Sequence, residues 1–337
     1  MSADPFRVTR SQGWDGLTLG VLELFGVLLY FWQPLPSLLL AMWSTVAAAC
    51  LLRRQGTPLL GQRLASQNVV ATRASDKSRR WRVVLLAPLD SLPALGAAAR
   101  VLITNGRQHV GRLAACCAIL LLALLGITDL PLEVRRVLWY LQALPVLYLL
   151  LTATLEILAA RRPYSPGAVS HAGALAVLLT VAESTSTLGT VELWAVALGS
   201  SGSGRGLHNL LQRYPFDSET TLFVSLEGLG VGDLCYVREG DGPRGRGADV
   251  LLLEQARLAA AEARVEALPQ VYRDGQTLAG RLRDAGMRTL TITCLDGRGH
   301  IPLRHMADDS ADQIDEAVLE RASLLVASLV RRLEGVA

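Results

Sequence analysis

Four long apolar segments dominate the first half of this 337-residue chain. The segments occupy residues 17–32, 36–52, 113–128 and 137–160. A helix needs about 20 apolar residues to cross a hydrocarbon core of roughly 30 Å, and the usual lower limit is about 17. Because runs such as residues 118–125 lack any polar face, buried helices of a soluble core are the weaker alternative. The sequence therefore predicts four transmembrane helices in two hairpins, with the lipid bilayer as a partner.

Arginine residues flank these segments on one side. They are Arg7, Arg10, Arg53, Arg54, Arg107, Arg112, Arg161 and Arg162. The loop of the first hairpin has no basic residue, and the loop region of the second has only Arg135 and Arg136, beside two acids. Since basic residues accumulate in cytoplasmic loops, a multi-pass protein of the cell membrane is predicted, with the carboxyl half in the cytoplasm. The net charge of +3 is too small to indicate nucleic-acid binding.

Isolated polar residues within the apolar segments have two interpretations. Glu23 and Glu156 lie in predicted spans, where ionisable groups are costly and often functional. They either help to pack the four helices or form part of a proton or ion path. Cys50, Cys116 and Cys117 also lie in spans, which leaves Cys235 and Cys294 as predicted buried thiols and not as a disulfide framework.

The polar part of the chain alternates between helix and strand patterns. The predicted strands are residues 68–73, 81–87, 191–199, 221–226, 234–238 and 289–294, and the predicted helices are residues 166–183, 205–213, 250–267, 277–285 and 312–333. The first two strands are expected to pair, the first as an edge strand and the second as a buried one. Residues 241–247 are expected to form a surface loop. This alternation favours a three-layer α/β domain with a mainly parallel, mixed sheet.

The second hairpin therefore interrupts one α/β domain. The predicted organisation is a transmembrane hairpin (1–55), the first strands of the domain (56–106), an inserted transmembrane hairpin (107–162) and the remainder of the domain (163–337).

Several motifs of the α/β part resemble those of the M28 family of zinc aminopeptidases. Residues 165–176 read Ser-Pro-Gly-Ala-Val-Ser-His-Ala-Gly-Ala-Leu-Ala, where the family has a helix start close to Gly-Ala-x-Asp-Asn-Ala-Ser-Gly. Residues 305–315 parallel the family's His-Thr-Pro-x-Asp-Thr-x-Asp-x-Ile-Asp. The resemblance covers about residues 68–92 and 164–334, and it implies a phosphorylase/hydrolase-like zinc-peptidase fold.

The resemblance also implies where two zinc ions would be held. It puts Pro88 at the first His ligand, Asp90 at the acid that orients that ligand, Ser170 at the bridging Asp, Ser200 at the general base, Ser201 at a Glu ligand, Glu227 at an Asp ligand and His305 at the last ligand. Only Glu227 and His305 keep ligand side chains, and in the family these two serve different ions. Because tight catalytic zinc normally needs three protein ligands, neither a metal pair nor metal-dependent peptidase activity is expected.

The resulting prediction is a membrane-anchored pseudoenzyme that acts by binding or scaffolding, with a peptide or protein partner in the vestigial cleft. No catalytic residue is assigned. The alternative is an active hydrolase with a relocated or single zinc ion, held by a subset of His171, Glu227, His300, His305 and Asp308.

Two other chemistries are weaker on spacing. The glycine-rich residues 199–206, between a strand and a helix, could bind a phosphate, but the glycines do not have dinucleotide-fingerprint spacing. Ser200, Ser201 or Ser203 with His305 could form a serine hydrolase site, but no Gly-x-Ser-x-Gly elbow is present.

Overall fold

The computed structural model describes residues 1–10, 13–53, 58–95, 107–128, 130–185, 188–240, 247–273 and 277–336. The chain divides into two compact units. The α/β unit comprises residues 1–8, 65–94 and 164–337, and the helical unit comprises residues 9–64 and 95–163. Most of the predicted loop at 241–247, and Arg54, lie outside the described residues.

An eight-stranded mixed sheet forms the centre of the α/β unit. Its strands are β1 (Ser2–Arg10), β2 (Gln62–Arg73), β3 (Trp81–Pro88), β4 (Val191–Leu198), β5 (Thr221–Leu226), β6 (Asp233–Gly240), β7 (Leu268–Tyr272) and β8 (Arg288–Leu295). Their spatial order is β1-β2-β4-β3-β5-β8-β6-β7. The four central strands β4, β3, β5 and β8 are parallel, whereas β2 and β6 run antiparallel to their neighbours β4 and β8.

Helices cover both faces of this sheet. On β3, Val83 and Leu85 face one apolar cluster, and Val84 and Leu86 face the other. Both faces are buried, which explains why β3 has a continuous apolar run. The alternation of side chains across the strand thus produces two cores and confirms the predicted three-layer α/β architecture.

The helices that close these layers follow the strands in sequence. They are α5 (Gly173–Ser184), α6 (Arg205–Arg213), α7 (Val250–Glu262), α8 (Leu278–Asp284) and α9 (Glu316–Glu334). The labels α1 to α4 belong to helices of the other unit, described below. Helices α5, α7 and α9 contribute to one core, and α6 and α8 contribute to the other. A short π-helical turn, Ala168–Ala172, leads into α5.

Three details of the sheet differ from the sequence prediction. The strand at residues 68–73 pairs with β4 and not with β3, and it is not at the edge because β1 lies outside it. The polar strand β1 was not predicted, since its sequence lacks apolar alternation. The helix predicted for residues 250–267 ends at Glu262, and β7 follows it.

The described residues of the second unit contain four helices. They are α1 (Trp14–Leu29), α2 (Pro34–Arg53), α3 (Arg107–Leu125) and α4 (Leu132–Ala160). Helix α1 packs on α2 and α4, and α3 packs on the same two helices. The outer surface carries large exposed apolar side chains such as Leu39, Val46 and Leu144. Such a surface is typical of helices in contact with lipid.

The structure supports three of the four predicted spans by length and composition. Helix α2, residues Gln108–Leu125 of α3, and α4 are long and apolar enough to cross a membrane. Helix α1 has only 16 residues, which is below the usual lower limit for a span. Membrane association is therefore plausible for the chain.

Candidate binding site at the carboxyl ends of the strands

The predicted site positions gather at one edge of the sheet. Pro88 is the last residue of β3, and the glycine-rich loop of residues 199–204 follows β4. Glu227 directly follows β5, and His305 lies in the segment after β8. The carboxyl ends of parallel strands meet at one edge, where α/β proteins bind their ligands. The fold therefore brings these positions together.

Ser170 is engaged by a buried carboxylate. Its hydroxyl donates a hydrogen bond to Asp309 Oδ2, and its backbone N–H lies 3.3 Å from the same oxygen. Asp309 also accepts from the Val169 N–H at 2.6 Å and from the Ser165 hydroxyl at 3.5 Å. Asp309 has no exposed surface, and Ser170 is 4% exposed. The neutral Ser170 hydroxyl therefore gives a hydrogen bond to the Asp309 carboxylate, which lies in the loop after β8.

Glu227 is held by the start of α8. Its Oε1 accepts from the Leu278 N–H and from the Ser225 hydroxyl, both at 2.7 Å. Carboxylates at a helix amino end are stabilised by the unpaired N–H groups and by the helix dipole. Glu227 thus acts as a structural acceptor that joins β5 to α8.

Asp90 and Asn68 fix the glycine-rich loop. Asp90 Oδ1 accepts from the Ser201 N–H at 2.8 Å. Burial raises the pKa of the Asp90 carboxyl, and the bonds from Ser201 oppose that rise. On the other side of the loop, Asn68 accepts from the Gly199 N–H at 3.2 Å and donates to the Gly206 carbonyl at 2.8 Å. Asn68 has no exposed surface, so this clamp is part of the core.

A cation that the sequence prediction missed lies against the same loop. Arg281, on α8, donates to the Gly202 carbonyl at 2.9 Å. Its guanidinium fills the space where Gly204 would carry a side chain. Glu227 acts on Arg281 electrostatically and favours the charged form, whereas burial lowers the pKa of the guanidinium. No local sequence pattern marks Arg281, because its partners are distant in sequence.

Two histidines of the predicted site stack on each other. The rings of His171 and His305 have centroids 5.9 Å apart and an interplanar angle of 29°. Burial lowers the pKa of His171 to about 4, and the charge of Arg304 adds to that effect. His171 is therefore neutral at neutral pH. Arg304 itself donates to the Tyr272 hydroxyl.

The comparisons with known proteins give similarity at the level of chain trace. No protein-family model matches the sequence, and no curated protein sequence is significantly similar to it. Among solved structures, the zinc aminopeptidase BSAP from Bacillus subtilis is 14% identical, with a TM-score of 0.46. That match covers 80% of this chain and 50% of the aminopeptidase, so the present chain spans about half of its length.

Two Bacteroides thetaiotaomicron proteins are similar over nearly their whole length. A glutaminyl cyclase, solved with N-acetylhistamine, is 13% identical with a TM-score of 0.49, and the match covers 94% of this chain and 97% of the cyclase. A leucine aminopeptidase precursor is 13% identical with a TM-score of 0.46, and the match covers 96% of this chain and 99% of the precursor.

The residues present do not fit a zinc pair. Among the described residues, no group of three or more His, Cys, Asp or Glu side chains is placed to share a metal ion. Pro88 has no ligand atom, Ser170 donates to Asp309, and Glu227 is bound to the α8 backbone. A catalytic zinc normally needs three protein ligands and an open position. These positions therefore do not supply the ligand sets that a zinc pair needs.

At the other predicted sites, too, candidate groups already have partners within the protein. The Ser200 and Ser203 hydroxyls pair with each other at 2.8 Å. The Ser201 N–H, which a phosphate could have used, already donates to Asp90. The ring Nδ1 of His300 lies 3.8 Å from Asp296 Oδ1, and the backbone carbonyl of Asp308 accepts from the Ser310 N–H at 2.9 Å.

Proposed function

We propose that the α/β unit acts by binding or scaffolding and that it has no metal-dependent peptidase activity. The observation that carries this proposal is the engagement of the former ligand positions by hydrogen bonds within the protein. The Ser170 hydroxyl donates to Asp309, and Glu227 accepts from the Leu278 N–H at the start of α8. Each replacement gives a buried polar group a partner, which a simple loss of ligands would not do.

The backbone of the cleft supports descent from a working site. Ser200 and His305 have φ values of 51° and 58°, in the left-handed region that side chains other than glycine rarely adopt. Both residues occupy positions that the family resemblance assigns to the site. Such conformations persist only where the surroundings enforce them. We propose that the surface at the carboxyl ends of the strands binds a peptide or protein segment.

Zinc content and turnover test the loss of metal chemistry. The full chain, purified in detergent, loaded with zinc and dialysed, is expected to hold far less than one zinc per chain. It is expected to release no amino-terminal residue from aminoacyl anilides. The matched variants are His305→Ala, in the cleft, and His208→Ala, on the exposed face of α6. Stoichiometric zinc with turnover lost only in His305→Ala would overturn the proposal in favour of a relocated metal site.

Equilibrium dialysis against a pool of short peptides tests the binding role. Selected peptides are expected to be retained by the protein, and mass spectrometry should recover them intact. Shortened peptides would show hydrolysis, and an unretained pool would show that the cleft does not take peptides. Either result contradicts the proposed role.

We also propose that the helical unit anchors a multi-pass protein with the α/β unit in the cytoplasm. The support is the clustering of arginines at the ends of the apolar helices, for example Arg53, Arg161 and Arg162. Protease added to sealed right-side-out vesicles is expected to leave the α/β unit intact, and to digest it after the vesicles are opened. Digestion of the α/β unit before the vesicles are opened would show that this unit lies outside the cytoplasm and would contradict the proposed orientation.

A further inference from the structure

The interior of the helical unit contains a carboxyl group without a charged partner. Glu23, on α1, has no exposed surface. Neither of its carboxyl oxygens has a hydrogen-bond partner among the described residues. The Ser44 hydroxyl of α2 and the Cys116 thiol of α3 lie beside it without reaching hydrogen-bond geometry. Such a carboxyl cannot be explained as half of a buried ion pair.

A buried amide lies at the same level on α4. Trp139 Nε1 donates to the Val27 carbonyl at 3.0 Å, which fixes the register of α4 against α1. From that contact, Gln142 is about 4.5 Å along α4 and Glu23 is about 6 Å along α1, in the same direction because the helices are antiparallel. Gln142 also has no exposed surface, and its amide atoms lack partners among the described residues.

The charged groups toward the end of the bundle that carries Gly16 are already paired. Arg112 of α3 forms an ion pair with Glu156 of α4 at 2.9 Å, and its guanidinium lies against Gly16. On α1 itself, Asp15 accepts from the Leu59 and Leu60 N–H groups at 2.9 Å. Along α1, Glu23 lies about 10 Å beyond Gly16. Cys116 lies one turn along α3 from Arg112. Its height in the bundle is therefore between that of Arg112 and that of Glu23.

We propose that Glu23 is a proton-binding site of the helical unit, which holds a proton at neutral pH and exchanges it with water. Removing an ionised carboxylate from water without a partner is far more costly than burying the neutral acid. The Glu23 carboxyl, the Ser44 hydroxyl and the Gln142 amide are too few to replace the hydration shell of Ca²⁺ or Mg²⁺. Each of these ions takes six or more oxygen ligands. A proton fits because it needs only the carboxyl itself, and one proton replaces another without leaving a charge in the bundle.

Infrared spectroscopy of the full chain in lipid bilayers tests this site. At neutral pH, the difference between wild type and Glu23→Gln should show the loss of one carboxylic-acid C=O stretching band per chain. In D2O that band should shift while the protein stays folded, because the acid exchanges with solvent. The matched control is Glu133→Gln, whose side chain is 78% exposed. The control should lose carboxylate bands only.

Two results would overturn the proposal. Loss of carboxylate bands in Glu23→Gln would mean that Glu23 is ionised, and an acid band that does not shift in D2O would mean that it does not exchange. If Glu23→Gln does not fold, Glu23→Asp is measured instead. A displaced acid band in Glu23→Asp supports the site, and a displaced carboxylate band contradicts it.

Discussion

Replacing Ser170 by Asp, the residue that the M28 family has at the position that Ser170 resembles, is expected to destabilise the α/β unit by about 3 kcal/mol. The new carboxylate would lie within hydrogen-bond distance of Asp309, which already accepts from Ser170. Two like charges about 4 Å apart interact by about 4 kcal/mol at an effective dielectric constant of 20, and protonation of one acid limits the loss. Neither position is accessible enough for water to screen the pair.

Thermal and denaturant unfolding at pH 7 measure this loss. The matched control is Ser170→Asn, because its amide donates to Asp309 and adds no charge; its expected cost is about 1 kcal/mol. The loss in Ser170→Asp should shrink toward pH 5, where a shared proton relieves the repulsion. Zinc should not restore stability, since Pro88 and Ser201 still supply no ligand. Zinc-dependent recovery of the wild-type midpoint would show that a metal site survives in the cleft.

The layers of the α/β unit could be predicted from sequence because each depends on a local pattern. The continuous apolar run of β3 indicated a buried strand, and residues 205–213 were predicted to be a helix. The partner of β2 could not be predicted in the same way. Its register with β4 joins Val70 to Val196, more than one hundred residues apart, and no local pattern encodes such a pairing.

The candidate site, too, could be predicted from the sequence only in part. Comparing ligand positions one by one identified which side chains had changed, such as Ser170, but not what they now contact. Asp309 and Arg281 reach the site from the loop after β8 and from α8, and their partners are separated from them in sequence by 139 and 79 residues. The hydrogen-bond partners of Ser170 and Glu227 therefore became visible only in the folded chain.

Glu156→Ala is expected to destabilise the helical unit by about 3–5 kcal/mol. Glu156 forms the ion pair with Arg112, whose side chain is only 2% exposed, while that of Glu156 is 11% exposed. The same guanidinium contacts the Thr152 hydroxyl at 3.4 Å, too weakly to replace a carboxylate. Removing one partner of a buried ion pair leaves the other charge uncompensated, and this accounts for the size of the loss.

The matched control and a double variant separate the charge effect from lost packing. Glu133→Ala removes an exposed glutamate of the same helix, paired with Arg136 at 3.2 Å, and should cost less than about 0.5 kcal/mol. Replacing Arg112 and Glu156 together by methionine should recover most of the stability, since apolar side chains of similar size avoid the cost of removing two charges from water. Unfolding in mixed detergent micelles, followed by circular dichroism, measures all four proteins. If the double variant were no more stable than Glu156→Ala, the loss in Glu156→Ala would not come from an uncompensated Arg112 charge.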